Sequence, residues 1–164
     1  MDIYKFAMQM EKDGEDFYRR LAREATVPGL AVIFTMLADE EVKHYQVVER
    51  LRCKEAESQE TGSVLLDQVK NVFVEMRERK EKVSTDISAI ASYRQACTIE
   101  EDSERFYREQ ARLAADDHQR LILFRLGGEE AKHLRIMENI LEFVSRPEPG
   151  SWLENAEWHH LDEY

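Results

Sequence analysis

Four long amphipathic helices and a shorter crossover helix, an all-α bundle, are the architecture that three features of the chain predict. Good helix formers dominate, with Glu, Lys, Arg, Leu, Ala and Met set against only six Gly and three Pro. Apolar residues recur at i, i+3, i+4 and i+7 through long stretches. The chain also repeats itself: sliding it by 89 positions, as from His44 to His133, lays one helix pair on another without a gap. At 164 residues there is room for one domain with a real core, burying roughly 70% of its unfolded surface.

The first long helix spans about residues 2 to 25 on the stripe Ile3, Phe6, Ala7, Met10, Phe17, Tyr18, Leu21 and Ala25. Val27-Pro28-Gly29 interrupts it, and Ile33, Phe34, Leu37, Ala38, Tyr45, Val48 and Leu51 mark a second helix ending near Cys53. The polar stretch K-E-A-E-S-Q-E-T-G-S is a connection. A shorter helix follows on Leu65, Leu66, Val69, Val72, Phe73 and Met76, before R-E-R-K-E-K returns the chain to solvent. Thr85 or Asp86 can cap the third long helix, which runs to about Ala114. Asp116-Asp117 offers a turn and the cap of the fourth, ending near Val144, and Arg146-Pro147-Glu148-Pro149-Gly150 forbids continuation. The tail carries two Trp and a Leu and is expected as a short terminal helix packed on the bundle. The expected organisation is a bundle over residues 1–145, built from a duplicated unit (1–52 and 90–141) joined by a crossover (53–85), and a tail over 146–164.

A formal net charge of −11 argues against nucleic acid or an anionic membrane as partner, since both would repel the chain. Cys53 and Cys97 are too few for a disulfide scaffold or for a pair of Cys-x-x-Cys knuckles, so a reducing cytoplasm is the expected setting. No apolar run approaches the ~18 to 20 residues that a membrane span needs, and a soluble, unexported protein is expected.

The duplication preserves polar residues as well as apolar ones. Tyr4, Ala7, Glu11, Asp13, Glu15, Phe17, Tyr18 and Arg19 recur as Tyr93, Ala96, Glu100, Asp102, Glu104, Phe106, Tyr107 and Arg108. The pentad Glu40-Glu41-Val42-Lys43-His44 recurs as Glu129-Glu130-Ala131-Lys132-His133. Two amphipathic helices can share apolar positions by chance, but not a fixed 30-residue gap between a Glu and a Glu-x-x-His in both copies. At ~100° per residue, Glu41 and His44 fall in the apolar arc of the second helix, and Glu130 and His133 in that of the fourth. Glu11 shares a face with Ala7, Gly14 and Tyr18, and Glu100 one with Ala96, Ser103 and Tyr107. Glu40, Lys43, Glu129 and Lys132 are expected to face solvent.

Four inward carboxylates cost several kcal/mol each unless opposite charge lies close by, and no Lys or Arg shares those faces. Two divalent cations would supply it, and a His three residues after a Glu adds a neutral nitrogen on the same side of the helix. The mixed oxygen and imidazole donor set suits iron, with manganese and zinc as competitors. A Glu from each of two helices plus Glu-x-x-His from the other two is the donor arrangement of ferritin-like carboxylate bundles.

With Phe17-Tyr18 and Phe106-Tyr107 following the first Glu of each copy, the set resembles the rubrerythrin branch of the ferritin-like superfamily over roughly residues 2 to 144. The resemblance implies a ferritin-like four-helix bundle holding two iron ions. In it Glu41 and Glu130 would bridge, Glu11 and Glu100 would be terminal carboxylates, and His44 and His133 terminal imidazoles. It further implies a non-haem di-iron peroxidase or oxidase of the oxidative-stress kind, reducing hydrogen peroxide or dioxygen to water. Two departures stand out. Rubrerythrins carry a further Glu three residues after the third-helix Glu, where this chain has Ser103, which leaves a six-ligand set equally similar to the ferroxidase centre of bacterioferritins. They also carry a rubredoxin domain with four cysteines, so the electrons here are expected from an external rubredoxin-like or flavoprotein-like partner. A homodimer or higher homo-oligomer is expected.

Two other readings compete: ferritin-like ferrous oxidation with storage or delivery of iron, and a structural or interaction bundle without metal. Tyr18 and Tyr107 are candidates to donate hydrogen bonds to the ligands; Glu15, Glu104 and Ser103 are candidates to lie beside them. Cys97 and, more weakly, Cys53 are expected to fill core, while His118 and His159-His160 are expected at the surface.

Overall fold

The computed structural model describes residues 2–54, 64–81 and 86–145, and every regular element among them is helical. α1 is Ile3–Glu24, α2 Pro28–Arg52, α3 Leu65–Glu78, α4 Ile87–Leu113 and α5 Asp117–Ser145. The all-helical architecture and the periodicity-derived boundaries agree to within a residue or two. The 55–63 connection, the Thr85 cap and the Trp-bearing tail lie outside the described residues.

Local chemistry sets the helix ends. Asp2 caps α1 by accepting from Tyr4 N at 3.0 Å, Asp86 caps α4 through Ser88 N at 2.9 Å, and Asp116 accepts from Gln119 N at 2.7 Å at the start of α5. α2 begins on Pro28 with no cap of its own. Its orphan donor at Gly29 is instead met by Glu81, beyond the end of α3, whose Oε2 accepts at 3.1 Å. α3 is thereby tied to the start of α2. The same spot is crowded, since a Cβ at Gly29 would run into Cγ and Sδ of the buried Met76. Gly29→Ala is therefore expected to cost about 1–3 kcal/mol in urea unfolding, and the same change to cost less in a Met76→Ala background, where the side chain it meets is gone.

α1 packs along α2, and α4 along α5, as two antiparallel hairpins. The early part of α1 shares a cluster with the late part of α4: Ala7 lies with Val48, Leu51, Tyr107, Ala111, Ile122, Leu123 and Leu126. A second, larger cluster gathers the late α1 and α5 with the early α2 and α4, through Tyr18, Leu30, Phe34, Tyr93, Ala96, Met137, Ile140 and Phe143. Since α1 thus opposes both α2 and α4, the two latter run parallel, which a tight turn cannot achieve. The crossover is what permits it. α3 closes the larger cluster with Leu65, Val69, Phe73 and Met76, Phe73 meeting Phe143 edge-on at 6.0 Å.

Between the two apolar clusters lies a belt of buried polar side chains: Glu11, Glu41, His44, Glu100, Ser103, Glu130 and His133. A fully apolar core would have joined the clusters at less cost. The duplication has placed this belt at the midpoint of all four long helices. No helix among the described residues is long and apolar enough to cross a membrane.

Candidate metal centre

Six side chains from four helices converge at the belt. Glu11 comes from α1, Glu41 and His44 from α2, Glu100 from α4, and Glu130 and His133 from α5. None is more than 4% exposed. Each hairpin supplies a Glu and a Glu-x-x-His, so the two halves of the site carry the same ligand types. Small residues make the room. A Cβ on Gly14 would stand 3.3 Å from Cδ of Glu41, so this close approach of α1 admits no larger side chain without displacing that carboxylate. The equivalent position in the second copy is Ser103, which is buried.

The imidazoles face the carboxylates of both hairpins. His44 Nδ1 lies 2.8 Å from Glu130 Oε1, 3.6 Å from Glu11 Oε2 and 3.9 Å from Glu41 Oε2. His133 Nδ1 lies 3.1 Å from Glu41 Oε1, 3.5 Å from Glu130 Oε2 and 3.7 Å from Glu100 Oε1. Glu41 and Glu130 therefore each sit between the two rings, while Glu11 neighbours only His44 and Glu100 only His133. The rings stack with centroids 5.1 Å apart and 13° between planes. Ligand atoms of Glu41, His44, Glu130 and His133 all fall within 4.8 Å of one another, close enough to share metal ions.

The tyrosines cross between hairpins. Tyr18 on α1 donates to Glu100 on α4, and Tyr107 on α4 donates to Glu11 on α1. Burial, followed by the neighbouring carboxylate charge, pushes both phenols well above their usual range, so they remain protonated donors. Each fixes one terminal carboxylate from across the bundle.

Metal-free, the cluster is a frustrated charge set. Burial pushes the Glu41 carboxyl well above the usual range, and the Glu130 and Glu100 charges add to it. Glu100 is raised to about 7, chiefly by burial and against the pull of His133. For Glu130, burial acts upward, yet His44 and His133 outweigh it and hold the carboxyl below the usual range. Burial lowers both imidazoles, but the carboxylates prevail, Glu130 foremost at His44 and Glu100 at His133, and hold them well above their ordinary value. Protons thus occupy the position of missing positive charge. Even so, His44 Nδ1 and Nε2, His133 Nε2 and Glu130 Oε1 have no hydrogen-bond partner among the described residues, although His44 Nδ1 and Glu130 Oε1 are 2.8 Å apart. Buried donors and acceptors left unpaired at close range are costly as a hydrogen-bond network. As oxygen and nitrogen ligands converging on shared cations they are consistent, so the residues fit a metal centre.

The flanking residues divide differently. Glu15 is engaged along α1 by Lys12 at 2.8 Å and Arg19 at 3.5 Å, and Glu104 along α4 by Arg108 at 2.6 Å, rather than by the cluster. Cys97 is half-buried against the larger core cluster, and burial raises its thiol to about 11, as fits a packing role. Cys53 is a correction: it is exposed, because it caps α2 two residues beyond Leu51, the last buried residue of that helix, where the chain leaves the bundle. Glu129 is a second correction, since it is buried rather than facing solvent. Lys132, itself only 27% exposed, lies over it at 2.8 Å, whereas the equivalent Lys43 is 64% exposed beside Glu40. His118 is exposed, and His159-His160 lie outside the described residues. A family model described as Rubrerythrin matches residues 2–141. No curated protein and no solved structure matches the chain.

Proposed function

The chain belongs to the rubrerythrin family, and from that membership we propose that it is a di-iron oxidoreductase reducing hydrogen peroxide, or dioxygen, to water with electrons from an external rubredoxin-like or flavoprotein-like donor. The observation that carries this reading is the placement of Glu41 and Glu130 between both imidazoles, the position a carboxylate must occupy to serve two metal ions at once. In the assignment, Glu41 and Glu130 are shared, Glu11 with His44 completes one ion's set, and Glu100 with His133 the other's. Bound in this way, a ferrous pair supplies two electrons together to an O–O bond, so that hydrogen peroxide, two electrons and two protons become two waters.

The protein's own residues hold and orient. Tyr18 and Tyr107 keep the terminal carboxylates in place, and metal would compete with protons for Glu41 and Glu100, whose carboxyls burial raises. The two apolar clusters above and below exclude bulk water from the belt. Iron-loaded protein given a reducing partner is expected to turn over peroxide at least about tenfold faster than the same iron free in solution, followed by peroxide consumption. Equal rates would sink the reading.

One observation favours a second reading. Ser103 stands buried where rubrerythrins carry a further Glu, leaving six ligands, as in ferritin-like oxidation and storage of ferrous iron. Storage needs a closed shell of many subunits, so gel filtration separates the two: a dimer excludes storage, and a cage of many subunits excludes a simple peroxidase.

A further inference from the structure

A groove of about 810 Å³ runs along the outside of the α1–α2 hairpin and ends on Glu11 and Glu41 of the centre. Its walls carry Glu15 and Glu49, with Tyr45 and Gln46 at the side, so four carboxylates line it against two ammonium groups, Lys5 and Lys12. Lys12 and Glu15 offset each other as an ion pair at 2.8 Å, with Asp16 3.4 Å from the same Nζ and Arg19 3.5 Å from Glu15, which leaves Glu49 as the wall carboxylate that acts on an approaching ion. An acidic passage does little for a neutral peroxide or dioxygen molecule. For a divalent cation it lowers the energy along the path and replaces the hydration shell oxygen by oxygen.

The two half-sites are also unequally sealed. Glu11, Glu41 and His44, on the groove side, keep 2–4% of their surface, whereas Glu100, Glu130 and His133 keep 0–1%. At the second-copy position equivalent to Gln46 stands the cation Arg135.

We propose that divalent metal ions reach the centre through the α1–α2 groove, steered by Glu49, an inference that rests on reading the buried cluster as a metal centre. Ions pass Glu49, meet Glu41 and Glu11 first, and fill the α4–α5 half of the site from within. The groove sets the rate of loading and leaves the final affinity to the six ligands.

The test is stopped-flow mixing of metal-free protein with Co²⁺, read by visible absorption, with stoichiometry from equilibrium titration. Glu49→Lys, which reverses charge at the wall, and Gln46→Trp, which narrows it, are surface changes. Both are expected to slow association about tenfold while two ions per chain still bind, and the Glu49→Lys effect is expected to shrink at high salt. Glu138→Lys, the equivalent exposed position on α5, is expected to load at the wild-type rate. Wild-type rates in both groove variants, or equal slowing in Glu138→Lys, would overturn the route while leaving the centre intact. A wild-type chain that takes up no Co²⁺ would overturn the centre itself, and the route with it.

Discussion

Glu130→Gln is expected to cost the metal-free protein about 3–5 kcal/mol, while Glu41→Gln costs it little or stabilises it. Both changes are nonetheless expected to abolish stoichiometric binding of two ions. The two glutamates occupy equivalent places in the duplicated sequence and would serve the metals alike, yet their metal-free states differ. Glu130 is the ionised member, held below the usual range by His44 and His133 against the pull of burial. Replacing it strands two buried imidazoles whose protonated forms it supports. Glu41 is pushed up, chiefly by burial, so its ionised form is the disfavoured one and a neutral amide of the same shape changes little. Urea unfolding in chelator measures the first effect, and Co²⁺ titration the second. Equal destabilisation by the two variants would refute the charge assignment, and retention of two tight ions by either would refute its role as a shared ligand. For scale, groups that merely orient ligands are worth about 10- to 100-fold in affinity, which is the loss expected for Tyr18→Phe or Tyr107→Phe in the same titration.

The helices and the ligand set were legible because both rest on short-range rules. A period of 3.6 residues places Glu41 and His44 on one face whatever surrounds them, and the duplication turns a common motif into a specific one. The same rules fail where the answer depends on a neighbouring chain segment. The helical angle put Glu129 outward, and it does lie at the edge of the face, but the Lys132 that pairs with it is itself 27% exposed, whereas the Lys43 that pairs with Glu40 in the same way is 64% exposed. Nothing in the pentads distinguishes these cases. Cys53 follows Leu51 in the apolar stripe, yet the helix ends there and the thiol meets solvent. Which carboxylate each tyrosine holds was hidden for the same reason, since Tyr18 reaches Glu100 rather than a ligand of its own hairpin. The inequality of the half-sites was hidden too, because a duplicated motif presents itself as symmetric.

Metal binding is expected to change the pH dependence of stability as well as its size. In the metal-free protein Glu41, Glu100, His44 and His133 all have folded-state values above their unfolded ones, Glu100 at about 7 against 4.5. Such groups add stability that is fully present below the unfolded value and is lost as pH rises through the folded one. Glu130 has the opposite sign, its contribution being present above 4.5 and lost as pH falls. The raised groups therefore make stability fall with rising pH; Glu100 alone accounts for a change on the order of 3 kcal/mol between pH 4.5 and 7, of which roughly 1 kcal/mol falls above pH 6. For a domain of this size that part alone is expected to lower the melting temperature by roughly 2–4 °C between pH 6 and 8. Metal reverses the sign, because its ligands must be deprotonated and so it competes better as pH rises. At a thousandfold excess over its dissociation constant each ion adds about 4 kcal/mol, so loaded protein is expected to melt higher at pH 8 than at pH 6. Scans of chelated and loaded protein at the two pH values read this directly. Parallel pH trends in the two forms would mean that the buried carboxylates and imidazoles do not exchange protons for metal.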